Sequence, residues 1–137
     1  MRTIKFRGQT RDADDWVYGS LIERVGYSPV IVASVGLYEY EEFPVMENTV
    51  GQFTGLLDGE RKDIFEGDII RIPETETNIE IIGVVEFNRG SYVIRSFLSG
   101  TCSSLAWAVR ERMAGERRGI VIGNIYDNPE LSKGGAQ

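Results

Sequence analysis

The chain has 137 residues, of which 42% are hydrophobic and 26% are charged, and these are ordinary values for one globular domain. A domain of this length buries roughly 68–70% of the surface that its unfolded chain exposes, so it needs no disulfide or metal to fold. The formal net charge of −6 disfavours broad binding to phosphate backbones, although it leaves room for a local basic patch.

Histidine is absent from the chain, and there is one cysteine, Cys102. The chain alone therefore cannot form a Ser-His-Asp or Cys-His catalytic site, a histidine metal site or an internal disulfide. It also contains no dinucleotide-binding glycine motif and no P-loop. We predict a protein that is not an enzyme and that uses no metal and no cofactor.

The longest apolar-leaning run, residues 29–38, is far shorter than the roughly 20 residues that a membrane-spanning helix needs. Residues 1–12 contain no apolar stretch of signal-peptide length. We therefore predict a soluble, cytoplasmic protein that does not contact membranes.

The first half of the chain is predicted to be a series of short strands. Residues 3–7 alternate, which puts Ile4 and Phe6 on one face of a half-buried strand and Arg7 on the opposite, polar face. Residues 16–25 are typical of the return strand of a hairpin. Further strands are predicted at residues 30–35, a β-branched run that favours fuller burial, at residues 37–43 and at residues 50–56.

The next segment is marked by turn residues. Asp58–Gly59 is a tight-turn signal, and in the following turn Gly67 can adopt a positive φ while Asp68 can accept hydrogen bonds from nearby backbone amides. Residues 79–98 are typical of a β-hairpin with Gly90 left-handed in its loop.

Residues 103–118 are ambiguous, because their apolar side chains fit both a helical and an alternating period. We favour a short helix that begins after Ser103 or Ser104 and ends near Gly115. Residues 119–128 are predicted to be the final strand, followed by one helical turn that begins at Pro129.

Together these elements predict a mainly β fold. The expected architecture is a small antiparallel barrel or rolled sheet of short strands, with one short helix near residues 103–115. We predict a single domain over residues 1–131 and a disordered tail over residues 132–137.

Three blocks of the sequence carry a family likeness: KFRGQTRDADDWVYG at residues 5–19, VGQFTGLLDGERKDIFEGDII at 50–70 and VIGNIYDNPEL at 121–131. In this order they resemble the YopX family, a group seen mainly in phages and prophages. Residues 37–43 and 103–118 match nothing that the family shares. The resemblance implies a β-rich phage or prophage protein in a bacterial host cell, and it implies no enzymatic activity.

The residues of these blocks are mostly turn formers and apolar side chains, which specify a fold without specifying a reaction. We assign them a structural role: Gly51, Phe53, Gly55, Gly59, Phe65, Glu66, Gly67, Asp68, Gly123, Asn124, Tyr126, Asn128 and Pro129. Ile69 and Ile125 are also expected in the core.

Three polar features are weak candidates for chemistry. The acidic run at residues 12–15 could offer oxygen ligands to a divalent cation, but it lacks the rest of a calcium loop. Glu66 and Asp68 could form an acid/base pair, but a turn is the simpler interpretation. Cys102 could be a nucleophile activated by an arginine or a helix N-terminus, but a buried or half-buried thiol is the favoured alternative.

Two surfaces are candidates for partner binding. One is an acidic-aromatic segment: Tyr38, Glu39, Tyr40, Glu41, Glu42 and Phe43. It suits contact with a basic partner or mimicry of nucleic-acid charge. The alternative is a strand with one solvent-exposed face and no partner. The other is an arginine cluster, which suits phosphates or an acidic partner, or is a solvated helix end: Arg110, Arg112, Arg117 and Arg118.

Three classes of function follow from these candidates. The first is a phage or prophage accessory protein without catalytic activity that binds an unknown host or phage protein, with a homo-oligomer as a further alternative. The second is a nucleic-acid-binding small β barrel, which the net charge disfavours without excluding. The third and least supported is a carboxylate-dependent enzyme.

Overall fold

The computed structural model describes residues 1–73, 80–110 and 118–136, with side chains as far as residue 133. The chain divides into two compact units, Met1–Gly55 and Leu56–Gln137. The prediction of one domain over residues 1–131 with a disordered tail over 132–137 stays a prediction.

The strands of the first unit are β1 Phe6–Gln9, β2 Trp16–Ile22, β3 Val30–Gly36, β4 Glu39–Pro44 and β5 Gly51–Leu57, which runs across the boundary between the units. They lie in one antiparallel sheet in the order β4-β3-β2-β1-β5. The predicted first hairpin is confirmed, since β1 pairs with β2 and Gln9 lies opposite Trp16 at its closed end. A 3-10 helix at Glu47–Thr49 precedes β5.

The predicted assignment of the β1 side chains to an apolar buried face and a polar exposed face is wrong. The strand begins at Phe6, Ile4 is mostly exposed, and the buried side chains are the polar ones of Arg7 and Gln9. Arg7 tolerates burial because its guanidinium lies 4.6 Å from the centre of the Trp16 ring, where the aromatic quadrupole attracts a cation.

Strand β3 is less buried than its β-branched sequence indicates. Ile31 and Ala33 are buried, whereas the far end from Ser34 to Gly36 is exposed. The expected fuller burial of this strand is therefore wrong, and the alternation is that of a strand with one covered face near its start.

The strands of the second unit are β6 Asp63–Phe65, β7 Asp68–Ile72, β8 Ile81–Asn88, β9 Ser91–Ser96, β10 Cys102–Ser104 and β11 Ile120–Asn124. Strand β6 follows β5 in the first sheet, and the other five form an antiparallel sheet with the strand order β10-β9-β8-β7-β11. The predicted hairpin is β8–β9, and its two-residue loop has φ of 52° at Arg89 and 85° at Gly90. The left-handed Gly90 is confirmed, and Arg89 shares its conformation, as a type I′ turn requires.

One short helix, α1, covers Leu105–Val109. Ser104 is its N-cap, and the Ser104 hydroxyl accepts a hydrogen bond from the Trp107 N–H at 3.3 Å. Arg110 has an extended backbone and ends the helix, which is therefore shorter than the predicted one that ends near Gly115. Residues 111–117 lie outside the described residues.

The core of the second unit lies between α1 and the sheet. Leu105 and Ala108 from the helix pack with Ile70 and Ile72 of β7 and Ile94 of β9. Burial of each of these Ile and Leu side chains contributes about 1.5–3 kcal/mol. The predicted helical turn at Pro129 is part of a 3-10 helix, Pro129–Ala136.

The prediction of a mainly β chain with one short helix is confirmed. Within the described residues each sheet has two end strands, so the closed-barrel form of that prediction is not the one observed. None of the helices in residues 1–73, 80–110 and 118–136 has both the length and the apolar character needed to cross a membrane.

Candidate functional site

The acidic-aromatic segment forms most of one arm and the turn of the β3–β4 hairpin. Ala33 lies opposite Glu41 and Ser34 lies opposite Tyr40. The register then shifts so that Gly36 lies opposite Glu39, which leaves Val35 as the extra residue of a β-bulge. The sequence favours this hairpin because β-branched and aromatic residues line both arms.

Every residue from Ser34 to Glu42 is exposed, and we call this stretch the hairpin tip. Its apolar side chains are much more exposed than is usual for their type, with 88% for Tyr38, 87% for Leu37 and 74% for Tyr40. Val35 is half exposed. Contiguous exposed apolar side chains on a hairpin mark an interaction surface more often than isolated ones do.

The hairpin tip is also acidic. Glu39, Glu41 and Glu42 are exposed, and in the part of the chain that the structure describes none of them forms an ion pair. Phe43 is half-buried opposite the buried Ile31, so it anchors the hairpin to the first unit rather than extending the exposed surface.

The arginine cluster is only partly described. Arg110 is exposed directly after α1, and Arg118 is half-buried just before β11. Arg112 and Arg117 lie outside the described residues. The surface formed by the four arginines therefore stays a prediction.

The turn after β5 is held by the buried carboxylate of Asp58. One oxygen, Oδ1, accepts hydrogen bonds from the N–H groups of Glu60 and Lys62, both at 2.8 Å. The other, Oδ2, accepts from the Val121 N–H at 2.9 Å and so connects the turn to β11. This long-range role goes beyond the tight turn that Asp58–Gly59 predicts.

The second acidic turn contains Glu66, Gly67 and Asp68. Gly67 has φ of 89°, and the buried Asp68 accepts a hydrogen bond from the Phe65 N–H at 2.8 Å, both as the sequence predicts. Glu66 is half-buried. A carboxylate that satisfies a buried backbone amide supports a turn more directly than acid/base chemistry.

The last family block forms a polar turn after β11. Asn124 Oδ1 accepts hydrogen bonds from the N–H groups of Tyr126 at 2.9 Å and Asp127 at 2.8 Å. Asn128 Oδ1 accepts from the Asn124 N–H at 3.2 Å and lies where a Cβ at position 123 would be, which explains Gly123.

The remaining residues with an assigned structural role differ in burial and in backbone conformation. Phe65 and Ile69 are fully buried, as is the backbone at Gly51, while Gly55 has φ of 84°. Phe53 and Ile125 are half-buried, and a Cβ at Gly59 would lie 2.9 Å from Arg118 Cβ. Pro129 is exposed at the start of its 3-10 helix.

Cys102 is exposed on β10, an end strand of its sheet, so the expected burial of its thiol is wrong. It lies opposite Arg95, whose guanidinium bonds Glu86 at 2.8 Å. The hydrogen bond and negative charge of Glu86 raise the pKa of Arg95, so this cation is already partnered. The helix begins only at Leu105 and is capped by Ser104, so its N-terminus does not support activation of the thiol, and the facing Arg95 is bonded to Glu86.

We expect Cys102 to react fully with Ellman's reagent in the folded protein, because its thiol is exposed. The reaction should release one equivalent of chromophore without denaturant, at a rate no faster than that of an unactivated small-molecule thiol. A reaction that needs denaturant would contradict the exposure of Cys102, and a much faster one would restore the nucleophile hypothesis.

The acidic run of the first hairpin is a solvated turn. Asp12, Asp14 and Asp15 are exposed, and Asp14 has φ of 55°, which suits a turn. Across residues 1–73, 80–110 and 118–136 no group of three or more carboxylate or thiol side chains is placed to hold a metal ion.

Sequence reasoning missed two features of the hairpin tip and one of the turn that follows β5. Val35 and Leu37 join the exposed apolar surface, and Gly36 between them was the available signal, since glycine in a strand often marks a bulge. The bond from Val121 to Asp58 spans 63 residues and leaves no local signal.

Comparison with known proteins supports one family. The structure of protein EF1440 from Enterococcus faecalis is similar to this chain with a TM-score of 0.60 and 19% identity, over 96% of this chain and 99% of that chain, which shows a shared fold. A search of curated proteins found no match. The family model described as YopX protein matches residues 5–133. The chain therefore belongs to the YopX family.

Proposed function

We propose that this protein is a phage- or prophage-encoded accessory protein that acts by binding another protein, and that the hairpin tip, residues 34–42, is its docking surface. The location we propose is the cytoplasm of the bacterial host cell. The phage origin rests on the family resemblance, and the location rests on the apolar pattern of the sequence. We propose no catalytic activity.

The observation that carries this proposal is the exposure of Leu37, Tyr38 and Tyr40 on one hairpin. Tyrosine is enriched in protein interfaces because its ring offers a large rigid contact and its hydroxyl a hydrogen bond. Because these side chains stay exposed to water, they remove little apolar surface from solvent and add little to the stability of the fold. Their placement is therefore better explained by a partner than by folding.

The arginine cluster supports the alternative nucleic-acid function less well. Arg110 is its one described exposed member. Single-strand binding also needs aromatic platforms among the cations, and residues 110–118 contain no aromatic residue. Binding of nucleic acid is therefore the result that would favour the alternative in the experiment below.

The test is affinity capture of the tagged protein from bacterial host lysate, with and without nuclease, eluted along a salt gradient. We expect a stoichiometric protein partner that survives nuclease treatment. Recovery of nucleic acid, with all partners lost after nuclease and binding that weakens steeply with salt, would contradict the proposal and favour the alternative.

A paired substitution assigns the binding to the hairpin tip. Tyr38→Ser/Tyr40→Ser should reduce recovery of the partner at least tenfold, because interface tyrosines are frequent hot spots. Unfolding free energy should change by less than about 0.5 kcal/mol, since both side chains are exposed. The matched control is Tyr27→Ser, a tyrosine of the same unit that is 76% exposed in another turn. Equal recovery with the pair and the control would reject the docking surface.

A further inference from the structure

The hairpin tip has an unpaired strand edge. Strand β4 is the end strand of its sheet. Just beyond β4, Val45 forms an isolated bridge with Thr10, and the Met46 N–H donates to the Gln9 carbonyl at 2.8 Å. The open part of the outer edge is therefore the stretch up to Glu42, and within the described residues no other strand lies beside it. An end strand leaves a row of backbone N–H and C=O groups available for another extended chain. Such addition of a strand is a common mode of peptide recognition.

The hydrogen-bond pattern shows which groups of β4 point outward. Val45 N–H donates to the Pro29 carbonyl at 3.0 Å, and the register continues with Phe43 opposite Ile31 and Glu41 opposite Ala33. Because bonded pairs alternate in an antiparallel ladder, Glu41 and Phe43 bond to β3.

The alternate residues of β4, Tyr40 and Glu42, therefore direct their N–H and C=O groups away from β3. Pro44 is the next residue in this alternation, so its backbone nitrogen also faces away from β3, and the missing N–H removes no hydrogen bond to β3. The proline thus fits the outward edge, and it limits the free donors of β4 to the residues before it.

The charge of β4 selects the chemistry of the added strand. Glu39 and Glu41 alternate with Tyr40 and Glu42, so acidic side chains lie on both faces of the strand. A second copy of β4 would bring like charges opposite each other, which is destabilising. A strand that carries lysine or arginine would form opposite-charge pairs instead.

From the unpaired edge, the exposed tyrosines and the charge we infer that β4 binds an extended basic segment of a partner protein as an added β-strand. This inference rests on the proposed docking function and specifies its binding mode. The backbone groups of Tyr40 and Glu42 supply the main-chain bonds, and the three glutamates select a basic sequence.

The test uses a defined probe, an eight-residue peptide that alternates lysine with valine, followed by amide hydrogen exchange read by NMR. The Tyr40 and Glu42 amides should exchange at least tenfold more slowly when the peptide is bound. The Glu41 and Phe43 amides are internal controls, because they already bond to β3. An analogue with every backbone nitrogen methylated keeps the charge without donors and should bind at least tenfold more weakly.

Charge reversal tests the selectivity. Glu39→Lys/Glu41→Lys/Glu42→Lys should weaken binding of the lysine–valine peptide at least tenfold and create binding of a glutamate–valine peptide. The matched control, Glu23→Lys/Glu47→Lys/Glu130→Lys, changes the net charge equally at exposed sites elsewhere and should keep the original preference.

The outcomes separate this inference from the docking function. Equal binding of the methylated analogue, no added protection at Tyr40 and Glu42, or no binding of the lysine–valine peptide would overturn strand addition. The docking function would still stand if Tyr38→Ser/Tyr40→Ser abolished capture of the partner. If Tyr38→Ser/Tyr40→Ser left the recovery of the partner unchanged, the docking function itself would be rejected.

Discussion

Asp58→Ala is expected to lower the free energy of unfolding by about 4.5 kcal/mol or more, because hydrogen bonds to a charged group contribute about 1.5–3 kcal/mol each and the substitution removes three of them. The side chain is 2% exposed, so water cannot easily replace the lost acceptor. The N–H groups of Glu60, Lys62 and Val121 would lose their partner. Urea denaturation followed by circular dichroism measures the change.

Two further variants accompany Asp58→Ala: one separates the turn from its link to β11, and the other is a surface control. Asp58→Asn keeps one acceptor oxygen and can retain the bonds within the turn, so it should cost less than alanine, about 2 kcal/mol. Asp12→Ala, an exposed aspartate of the first hairpin, should change stability by less than about 0.5 kcal/mol. Equal effects of Asp58→Ala and Asp12→Ala would show that the buried carboxylate does not hold the turn.

Gly19→Ala should cost about 3 kcal/mol or more, at the upper end of what overpacking costs, because the new methyl group meets backbone rather than a flexible side chain. A Cβ at position 19 would lie 2.0 Å from the Val32 carbonyl oxygen and 3.2 Å from Ala33 Cα. Strands β2 and β3 would have to separate. Since β3 carries the hairpin tip, exchange of the β3 amides should rise together with the loss of stability.

The control for this substitution is a glycine in open space. Gly55 has φ of 84° and no heavy atom within 4 Å of the added Cβ, so Gly55→Ala tests backbone strain alone. It should cost about 1–2 kcal/mol, the penalty of a left-handed L-residue. A cost for Gly19→Ala at or below that of Gly55→Ala would contradict the close approach of β2 and β3.

The parts of the fold that the sequence predicts well are those set by neighbouring residues. Gly67 and Gly90 adopt positive φ where the turn patterns place them, and Asp68 accepts a nearby backbone N–H. Ser104 caps the helix as its position before the apolar repeat indicates. In each case the physical cause lies within four residues of the signal.

The parts that could not be predicted depend on distant contacts. Arg7 is buried against Trp16 although alternation assigns it to a polar face, because only pairing of β1 with β2 brings that ring to it. The bond from Val121 to Asp58 likewise needs the folded chain.

For the candidate site, the sequence identifies the acidic-aromatic segment but not its shape. Alternation of acids with tyrosines is typical of a strand with one covered face, whereas Tyr38 and Tyr40 are both exposed. The difference arises because β4 ends its sheet and its hairpin extends past the buried Ile31. Sheet order is a property of the whole unit, and no local pattern encodes it.

The most direct test of the docking surface is hydrogen exchange measured by mass spectrometry on the protein alone and in complex with its captured partner. The proposal predicts slower exchange in peptides that cover residues 34–42, with no change in peptides that cover residues 23–28. Protection confined to other segments, with residues 34–42 exchanging as fast as in the free protein, would contradict it.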